Sequence, residues 1–196
     1  MQNDNFKYAV ALTGGIATGK STAGSLFKLH GFLTIDADAI AHKLLDLHSL
    51  DIAAMFGAHY VKEGKVQRKE LGKLIFNNLK EKKKLELFIH PKIKEQIIQE
   101  AKIFEAQKKP YFIDIPLFFE TKNYNISKSL VIYINKELQI QRLMKRDTIS
   151  QEEALSKINN QMDIEDKKAQ ADMVIDNSLN LKHLQKEVEK IVKELK

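Results

Sequence analysis

The chain has 196 residues, of which 43% are hydrophobic and 30% charged, and it contains no cysteine. This composition is typical of a globular domain and excludes collagen-like, low-complexity and wholly disordered chains. The lack of cysteine excludes disulfides, thiolate metal sites and cysteine nucleophiles. No apolar run approaches the roughly 18 residues of a membrane span. The first seven residues, MQNDNFK, also lack the pattern of a secretory signal. We therefore expect a cytoplasmic protein with no membrane partner.

The net charge is +6, which favours anionic partners such as nucleic acid, a membrane surface or phosphorylated small molecules. Only three of the 32 basic residues are arginines: Arg68, Arg142 and Arg146. Arginine presents a planar fork to phosphate or carboxylate, whereas lysine is a solvated point charge. The three arginines are therefore the first basic residues to consider for a defined geometric role.

The first half of the chain predicts two strands and much helix. A strand is expected over 8–12, a helix over 20–30 after a glycine-rich turn, and a second strand over 32–36. Helical spacing then extends from residue 39 to residue 109. The predicted breaks in it are Gly57, Gly64, Asn77 and Pro91, and His90-Pro91 is interpreted as a helix start with proline at the first position.

The second half predicts three more strands, beginning at Tyr111, at Ser129 and within DMVID (172–176). A charged helical stretch covers 137–170, and a last helix begins at Leu181. Apolar strands alternating with helices predict an α/β fold whose parallel sheet is covered on both faces. The long helical stretches are either insertions that bind a ligand or additional helical packing.

One motif points directly to chemistry. The segment after the first strand satisfies G-x-x-x-x-G-K-[ST] and continues with a threonine; its residues are Gly14, Gly15, Ile16, Ala17, Thr18, Gly19, Lys20, Ser21 and Thr22. Backbone N–H groups of such a loop and the following helix N-terminus bind phosphate. Lys20 would reach the β- and γ-phosphates, and Ser21 would ligate Mg²⁺. The motif predicts a nucleoside triphosphate site.

The remaining sequence narrows the use of the nucleotide. No glycine has an aspartate three residues before it, and Asn135-Lys136 lacks the aspartate that reads guanine, so a GTPase is disfavoured. Asp114 is followed by Ile115 and not by the glutamate typical of ATP-driven motors. Both observations favour a small kinase.

A kinase that phosphorylates a hydroxyl needs a carboxylate at the acceptor. Asp36 and Asp38 follow the second strand, with Asp38 as the candidate base and Asp36 as a metal-site candidate. Asp38 is alternatively the N-cap of the next helix. Asp114 ends the third strand, where it either helps to hold Mg²⁺ or is a structural carboxylate.

Two arginines on one helical face are the candidates for stabilising the transferring phosphoryl group. Arg142 and Arg146 lie four residues apart, although they could instead pair with Glu137 and Asp147 on an exposed face. Arg68 at a helix start is a candidate anchor for an acceptor phosphate, and His42 lies one turn after Asp38. The histidines form no metal-binding pattern.

Several segments in order resemble the dephospho-coenzyme A kinase family: LTGGIATGKST (12–22), IDADAIAHKLL (35–45), FGAHYVKEGKVQRKELGKLIF (56–76), IHPKI (89–93), IDIPLFFE (113–120), QIQRLMKRD (139–147), the downstream Gln161, and ADMVIDNS (171–178). Ala17 and Thr18 stand where many members have glycine and serine. Gln67 stands where an acid is common, and Phe118 stands for a leucine. The resemblance covers nearly the whole chain.

The resemblance implies a P-loop kinase core (1–38, 110–136 and 171–196) with a five-stranded parallel sheet, a helical acceptor-binding domain over 39–109 and a lid over 137–170. It implies ATP and Mg²⁺, with transfer of the γ-phosphate to the ribose 3′-hydroxyl of dephospho-coenzyme A. Asp38 would be the base, with Lys20, Arg142 and Arg146 as the other catalytic residues. Asn177 would lie near the adenine, and Arg142 would also contact ATP. The segments expected to bind the acceptor contain Asp36, Asp38, His42, Arg68, His90, Pro116 and Leu117. The metal candidates are Ser21, Asp36 and Asp114.

Two other functions remain open at this point: a nucleoside or nucleotide kinase of the same fold, and a non-catalytic ATP-dependent nucleic-acid binder. We expect no nucleic-acid partner, because the basic run over 80–84 has no aromatic residues within it. We expect a monomer or a weak homo-oligomer.

Overall fold

The computed structural model describes residues 6–196. The first five residues, which belong to the segment in which no secretory signal was found, lie outside this range. The strands in chain order are β1 (Ala9–Gly14), β2 (Thr34–Asp36), β3 (Val61–Lys62), β4 (Lys65–Val66), β5 (Tyr111–Asp114), β6 (Ser129–Tyr133) and β7 (Met173–Asp176). Five of these form the predicted sheet, in the order β2-β5-β1-β6-β7. Strand β1 runs parallel to both β5 and β6, and β6 runs parallel to β7.

The helices alternate with the strands as the α/β pattern predicts. They are α1 (Lys20–Leu29), α2 (Ala37–Leu47), α3 (Ser49–Phe56), α4 (Arg68–Asn77), α5 (Leu79–Glu105), α6 (Phe118–Thr121), α7 (Lys136–Asp147), α8 (Gln151–Asn159), α9 (Ile164–Gln170) and α10 (Leu181–Leu195). Within residues 6–196, every helix is too short or too polar to cross a bilayer.

Successive side chains of the central strands point to opposite faces of the sheet, and helices cover both faces. On one face, Leu130 and Ile132 pack in a cluster with Phe27 of α1 and Val188 of α10. On the other face, Val131 and Tyr133 pack with Phe119 and Ile164, which belong to α6 and α9. Strands β1 and β6 are therefore buried throughout, and the predicted fold class is confirmed.

The described residues divide into two compact units, one formed by residues 36–100 and the other by the rest. The stretch expected to be a lid, 137–170, belongs to the unit outside residues 36–100. The unit 36–100 covers most of the stretch expected to bind the acceptor. Whether these stretches act as separate domains stays a prediction.

The predicted break at Pro91 is wrong. Helix α5 contains Pro91 in its interior and runs from Leu79 to Glu105, so His90-Pro91 does not start a helix. An interior proline removes one backbone hydrogen bond and costs about 3 kcal/mol. A row of buried side chains continues past it at intervals of four residues: Leu85, Ile89, Ile93 and Ile97. Burial of this continuous apolar face offsets the cost of the proline.

The break at Gly64 is a short hairpin that the helical spacing did not predict. Strands β3 and β4 pair antiparallel, with Val61 opposite Val66. The two turn residues, Glu63 and Gly64, have φ values of 52° and 73°. Positive φ at both central residues is the geometry of the type I′ turns that connect tight hairpins, and Glu-Gly supplies only one residue that adopts it without strain.

Candidate functional site: a phosphate loop and its supports

The phosphate loop connects the buried end of β1 to the start of α1. Its last glycine, Gly19, has a φ of 90° and is the N-cap of α1. Glycine has no side chain with which to cap the helix, so the N–H groups of its first turn can bind an anion. A Cβ atom on Gly14 would lie 2.8 Å from both the carbonyl oxygen of Ile132 and the hydroxyl of Thr18. The loop therefore requires glycine at its first position.

Two glutamines hold the tip of the loop. The side chain of Gln139 donates to the carbonyl oxygen of Ile16 at 2.8 Å, and Gln161 accepts from the N–H of the same residue at 2.8 Å. Gln139 is buried, and its amide nitrogen would lie 2.5 Å from a Cβ atom on Gly15. Gln139 begins the segment QIQRLMKRD (139–147) that carries the family resemblance, and Gln161 was named with it, but neither residue had a predicted role.

Asn177 lies at the other end of the loop. Its side chain donates to the carbonyl oxygen of Thr18 at 2.8 Å, and its amide would clash with any side chain at Gly19. The carbonyl oxygen of Asn177 in turn accepts from Arg142 at 2.9 Å. Asn177 and Arg142 therefore both lie beside the loop, and the contact of Asn177 with adenine stays a prediction.

Lys20 is held beside the loop by a carboxylate. It forms an ion pair with Asp114, which ends β5, and both side chains are largely buried. The hydroxyls of Ser21 and Thr22 belong to the exposed first turn of α1. The structure thus brings Lys20 and Asp114 together through β1 and β5, which are neighbours in the sheet.

Arg142 and Arg146 have different partners. Arg142 contacts the carbonyl oxygens of Asn177 and Leu179. Arg146 is half-exposed and pairs with its neighbour Asp147 through two contacts of 2.8 and 3.3 Å. The Arg146 and Lys157 side chains hold the pKa of Asp147 well below its usual range. For Arg146, the structure therefore shows the alternative in which it pairs with Asp147 on an exposed face.

Within the unit 36–100, the structure corrects one interpretation. Asp36 is the N-cap of α2, because its side chain accepts from the N–H of Ala39 at 2.9 Å. Asp38 is not that cap; it lies exposed in the first turn of the helix. The helix begins two residues earlier than its apolar spacing indicated. His42 is exposed on the same helix.

Arg68 begins α4, as predicted, and forms an ion pair with Asp46 at 3.0 Å. Asp46 also accepts from the N–H of Val66, so it fixes Arg68 and the hairpin together. His90 is half-buried in α5. A cavity of about 580 Å³ in the same unit is lined by residues that include His59, Tyr60, Glu70 and Lys73.

Pro116 and Leu117 follow β5 in the other unit. Leu117 is 39% exposed, whereas the carbonyl oxygen of Pro116 accepts from Thr13 and from Lys167, each at 3.0 Å. Lys167 is fully buried and pairs with Glu120. Glu120 ends the segment IDIPLFFE (113–120) that carries the family resemblance, whereas Lys167 lies in none of those segments, and neither residue had a predicted role.

Comparisons with known proteins agree over nearly the full length. The family model for dephospho-CoA kinase matches residues 8–183. The chain is 53% identical to the dephospho-CoA kinase of Sulfurimonas denitrificans over 97% of this chain and 96% of that protein. It is 44% identical to that of Wolinella succinogenes over 98% and 97% of the two chains.

Two solved structures are similar. The dephospho-CoA kinase from Campylobacter jejuni has a TM-score of 0.75 at 39% identity, with 95% of this chain and 96% of that chain covered. A protein of Thermus thermophilus has a TM-score of 0.83 at 28% identity, with 96% and 97% covered.

Proposed function

The chain belongs to the dephospho-CoA kinase family, and from that premise we propose how its residues divide the reaction. The enzyme transfers the γ-phosphate of ATP to the ribose 3′-hydroxyl of dephospho-CoA, giving coenzyme A and ADP, the last step of coenzyme A synthesis. The observation that carries the assignment of the nucleotide is the open N-terminus of α1 behind Gly19, with Lys20 held beside it.

The phosphate loop binds the triphosphate of ATP through its N–H groups and Lys20. In this proposal Lys20 exchanges Asp114 for the β- and γ-phosphates when ATP arrives. Arg142 contacts ATP from α7, and Asn177 lies near the adenine. The hydrogen bond from Asn177 to Thr18 supports this, because it ties the candidate adenine-binding segment to the loop.

Mg²⁺ fits the donors at the phosphate loop. Ser21 offers a hydroxyl and Asp114 a carboxylate, which are the hard oxygen donors that Mg²⁺ prefers. Asp36 stays the third candidate, on the strength of the sequence alone. Residues 6–196 contain no cluster of three acidic or histidine ligands. A dedicated protein cage is not required, because phosphate oxygens and water complete the coordination of this ion. When bound, Mg²⁺ neutralises charge on the β- and γ-phosphates.

Asp38 accepts the proton of the acceptor hydroxyl. Its carboxylate is exposed in the first turn of α2 and is not used as the helix cap, a role that Asp36 fills. Arg142 and Arg146 stabilise the charge that spreads over the transferring phosphoryl group, and Arg146 leaves Asp147 to do so. The stretch 137–170 acts as the lid that excludes water.

The acceptor is bound by the helical stretch 39–109 and the turn after β5. The residues proposed to contact it are Asp36, Asp38, His42, Arg68, His90, Pro116 and Leu117. Arg68 is pre-oriented for an acceptor phosphate by its ion pair with Asp46, which limits its freedom before the ligand binds. We further propose a cytoplasmic enzyme that acts as a monomer or weak homo-oligomer, with no nucleic-acid or membrane partner.

The direct test measures ADP release by the purified protein with ATP and Mg²⁺, with and without dephospho-CoA, and the mass of the product. We expect acceptor-dependent ADP and a product heavier by one phosphate. ADP release with nucleosides only would indicate a different kinase. No acceptor-dependent ADP, together with polynucleotide binding that weakens steeply with salt, would indicate a nucleic-acid binder.

The role of Asp38 predicts the effect of its amide variant. Asp38→Asn removes the proton acceptor without changing shape, so we expect kcat to fall by roughly 10²–10⁴-fold while the Kd for ATP is unchanged. Steady-state kinetics and equilibrium ATP binding measure the two quantities. The matched control is Asp51→Asn, an exposed carboxylate in α3, which should leave both unchanged. Retained turnover in Asp38→Asn would contradict the assignment of the base.

A further inference from the structure

Lys167 of α9 is a fully buried lysine beneath the phosphate loop. Its ammonium group donates to the carbonyl oxygen of Gly14 at 3.1 Å and to that of Pro116 at 3.0 Å, and it pairs with Glu120 at 2.7 Å. Gly14 is the first residue of the phosphate loop, and Pro116 follows the strand that ends in Asp114. One side chain therefore joins the two segments that frame Lys20.

Glu120 extends this connection to the tip of the loop. The oxygen that pairs with Lys167 also accepts from the N–H of Met162 at 3.0 Å. The residue before Met162 is Gln161, whose side chain accepts from the N–H of Ile16. The pair Lys167–Glu120 therefore fixes both the first residue of the loop and the segment that holds its tip.

This buried ion pair is not expected to raise the free energy of unfolding by much. The second carboxylate oxygen of Glu120 is buried and has no hydrogen-bond partner among the described residues. Burial lowers the pKa of Lys167, Glu120 opposes that shift, and the positive charge of Lys20 adds to it. Because desolvation opposes the attraction between buried ions, replacing such a pair with apolar residues is often neutral or stabilising.

Resting on the proposed function, we infer that Lys167 and Glu120 are positioning residues for ATP: they hold the phosphate loop in its binding conformation through Gly14, Pro116 and Met162. Neither side chain needs to touch the nucleotide. Loss of the pair frees the backbone that must converge on the phosphates, so it weakens ATP binding.

The test compares Lys167→Met, Glu120→Leu and the double variant. Each single variant leaves a buried charge unpaired and should be less stable than the parent in urea unfolding. The double variant removes both charges and should recover stability close to that of the parent. We expect its Kd and KM for ATP to remain raised by about tenfold although its stability is restored.

The dissociation between stability and ATP affinity separates a positioning role from a structural one. Lys136→Met is the matched control, because it breaks an exposed ion pair with Asp163 in the same region without a contact to the loop. It should leave both the Kd and the KM for ATP unchanged. Glu120→Gln, which keeps the side-chain volume, provides a second variant if the double variant does not fold, and its Kd for ATP should rise by about threefold.

An unchanged Kd for ATP in the folded double variant would overturn the inference. If the double variant does not fold, an unchanged Kd for ATP in Glu120→Gln would overturn it. Equilibrium ATP binding does not depend on turnover. The inference can therefore fail while acceptor-dependent ADP release is observed, and it can also hold when ADP release is absent.

Discussion

Ala17 carries backbone strain inside the phosphate loop. Its φ of 62° is left-handed, a region in which the Cβ atom of an L-residue approaches the following carbonyl. Glycine avoids this contact but loses more conformational entropy on folding. We therefore expect Ala17→Gly to raise the free energy of unfolding by up to about 1 kcal/mol, as measured by urea denaturation.

The control for this prediction is Lys122→Gly. Lys122 is an exposed, left-handed C-cap of α6 with a φ of 49°, so it should gain similar stability with no change in ATP affinity. Destabilisation by Ala17→Gly together with stabilisation by Lys122→Gly would contradict the prediction that backbone strain at Ala17 lowers the free energy of unfolding.

The two acids after β2 illustrate what a sequence predicts at single residues. Residue type and position select Asp36 and Asp38 as a candidate pair, whose roles in catalysis and metal binding stay predictions. The interpretation of Asp38 as the N-cap was wrong, because α2 starts two residues before the start that its apolar spacing indicates. Propensity and spacing leave helix ends uncertain by a residue or two, and the cap depends on which residue lies there.

At the scale of elements, α8 begins with a reciprocal capping box. The hydroxyl of Ser150 accepts from the N–H of Glu153, and the Glu153 carboxylate accepts from both the N–H and the hydroxyl of Ser150. These bonds to Ser150 lower the pKa of Glu153. A lowered folded pKa contributes stability above the unfolded pKa, which is lost as pH falls through the folded value.

This linkage predicts a pH-dependent cost for Ser150→Ala. At pH 7 the loss of the Ser150 hydroxyl as cap should reduce the free energy of unfolding by about 1 kcal/mol. In acid that protonates Glu153 in both proteins, the hydroxyl no longer stabilises a charged carboxylate, so the difference should shrink. Urea unfolding of the two proteins at both pH values measures it. If Ser150→Ala reduces the free energy of unfolding equally at both pH values, the link between Ser150 and the Glu153 charge is contradicted.

Helix α5 and the hairpin show why local patterns mispredict elements. Pro91 and Gly64 are both strong local breakers. The helix passes Pro91 because burial along one face outweighs one lost hydrogen bond, and this face is a property of the folded unit. At Gly64 the chain reverses into two strands of two residues each, which are too short to show an alternating pattern.

At the scale of the whole molecule, parts of the site differ in how far the sequence reveals them. The phosphate loop is contiguous, so its composition and spacing were enough to identify it. The contact between Lys167 and Gly14 joins residues 153 positions apart, and in the sequence Lys167 is one of two adjacent lysines in a charged helix. Burial of that one lysine follows from packing against the sheet, which no local pattern encodes.

The division into two units predicts where each substrate changes protection from hydrogen exchange. ATP with Mg²⁺ should slow exchange in the amides of residues 14–22, because bound phosphates accept hydrogen bonds from them. Dephospho-CoA alone should slow exchange within residues 36–100, where most of the proposed acceptor contacts lie.

Peptides from α10 serve as the internal reference, since none of its residues is proposed to touch a ligand. Mass spectrometry of the intact enzyme with each ligand separately measures this. Protection by dephospho-CoA that leaves 36–100 unchanged would contradict the assignment of the acceptor to the helical stretch, while leaving the assignment of ATP to the loop intact.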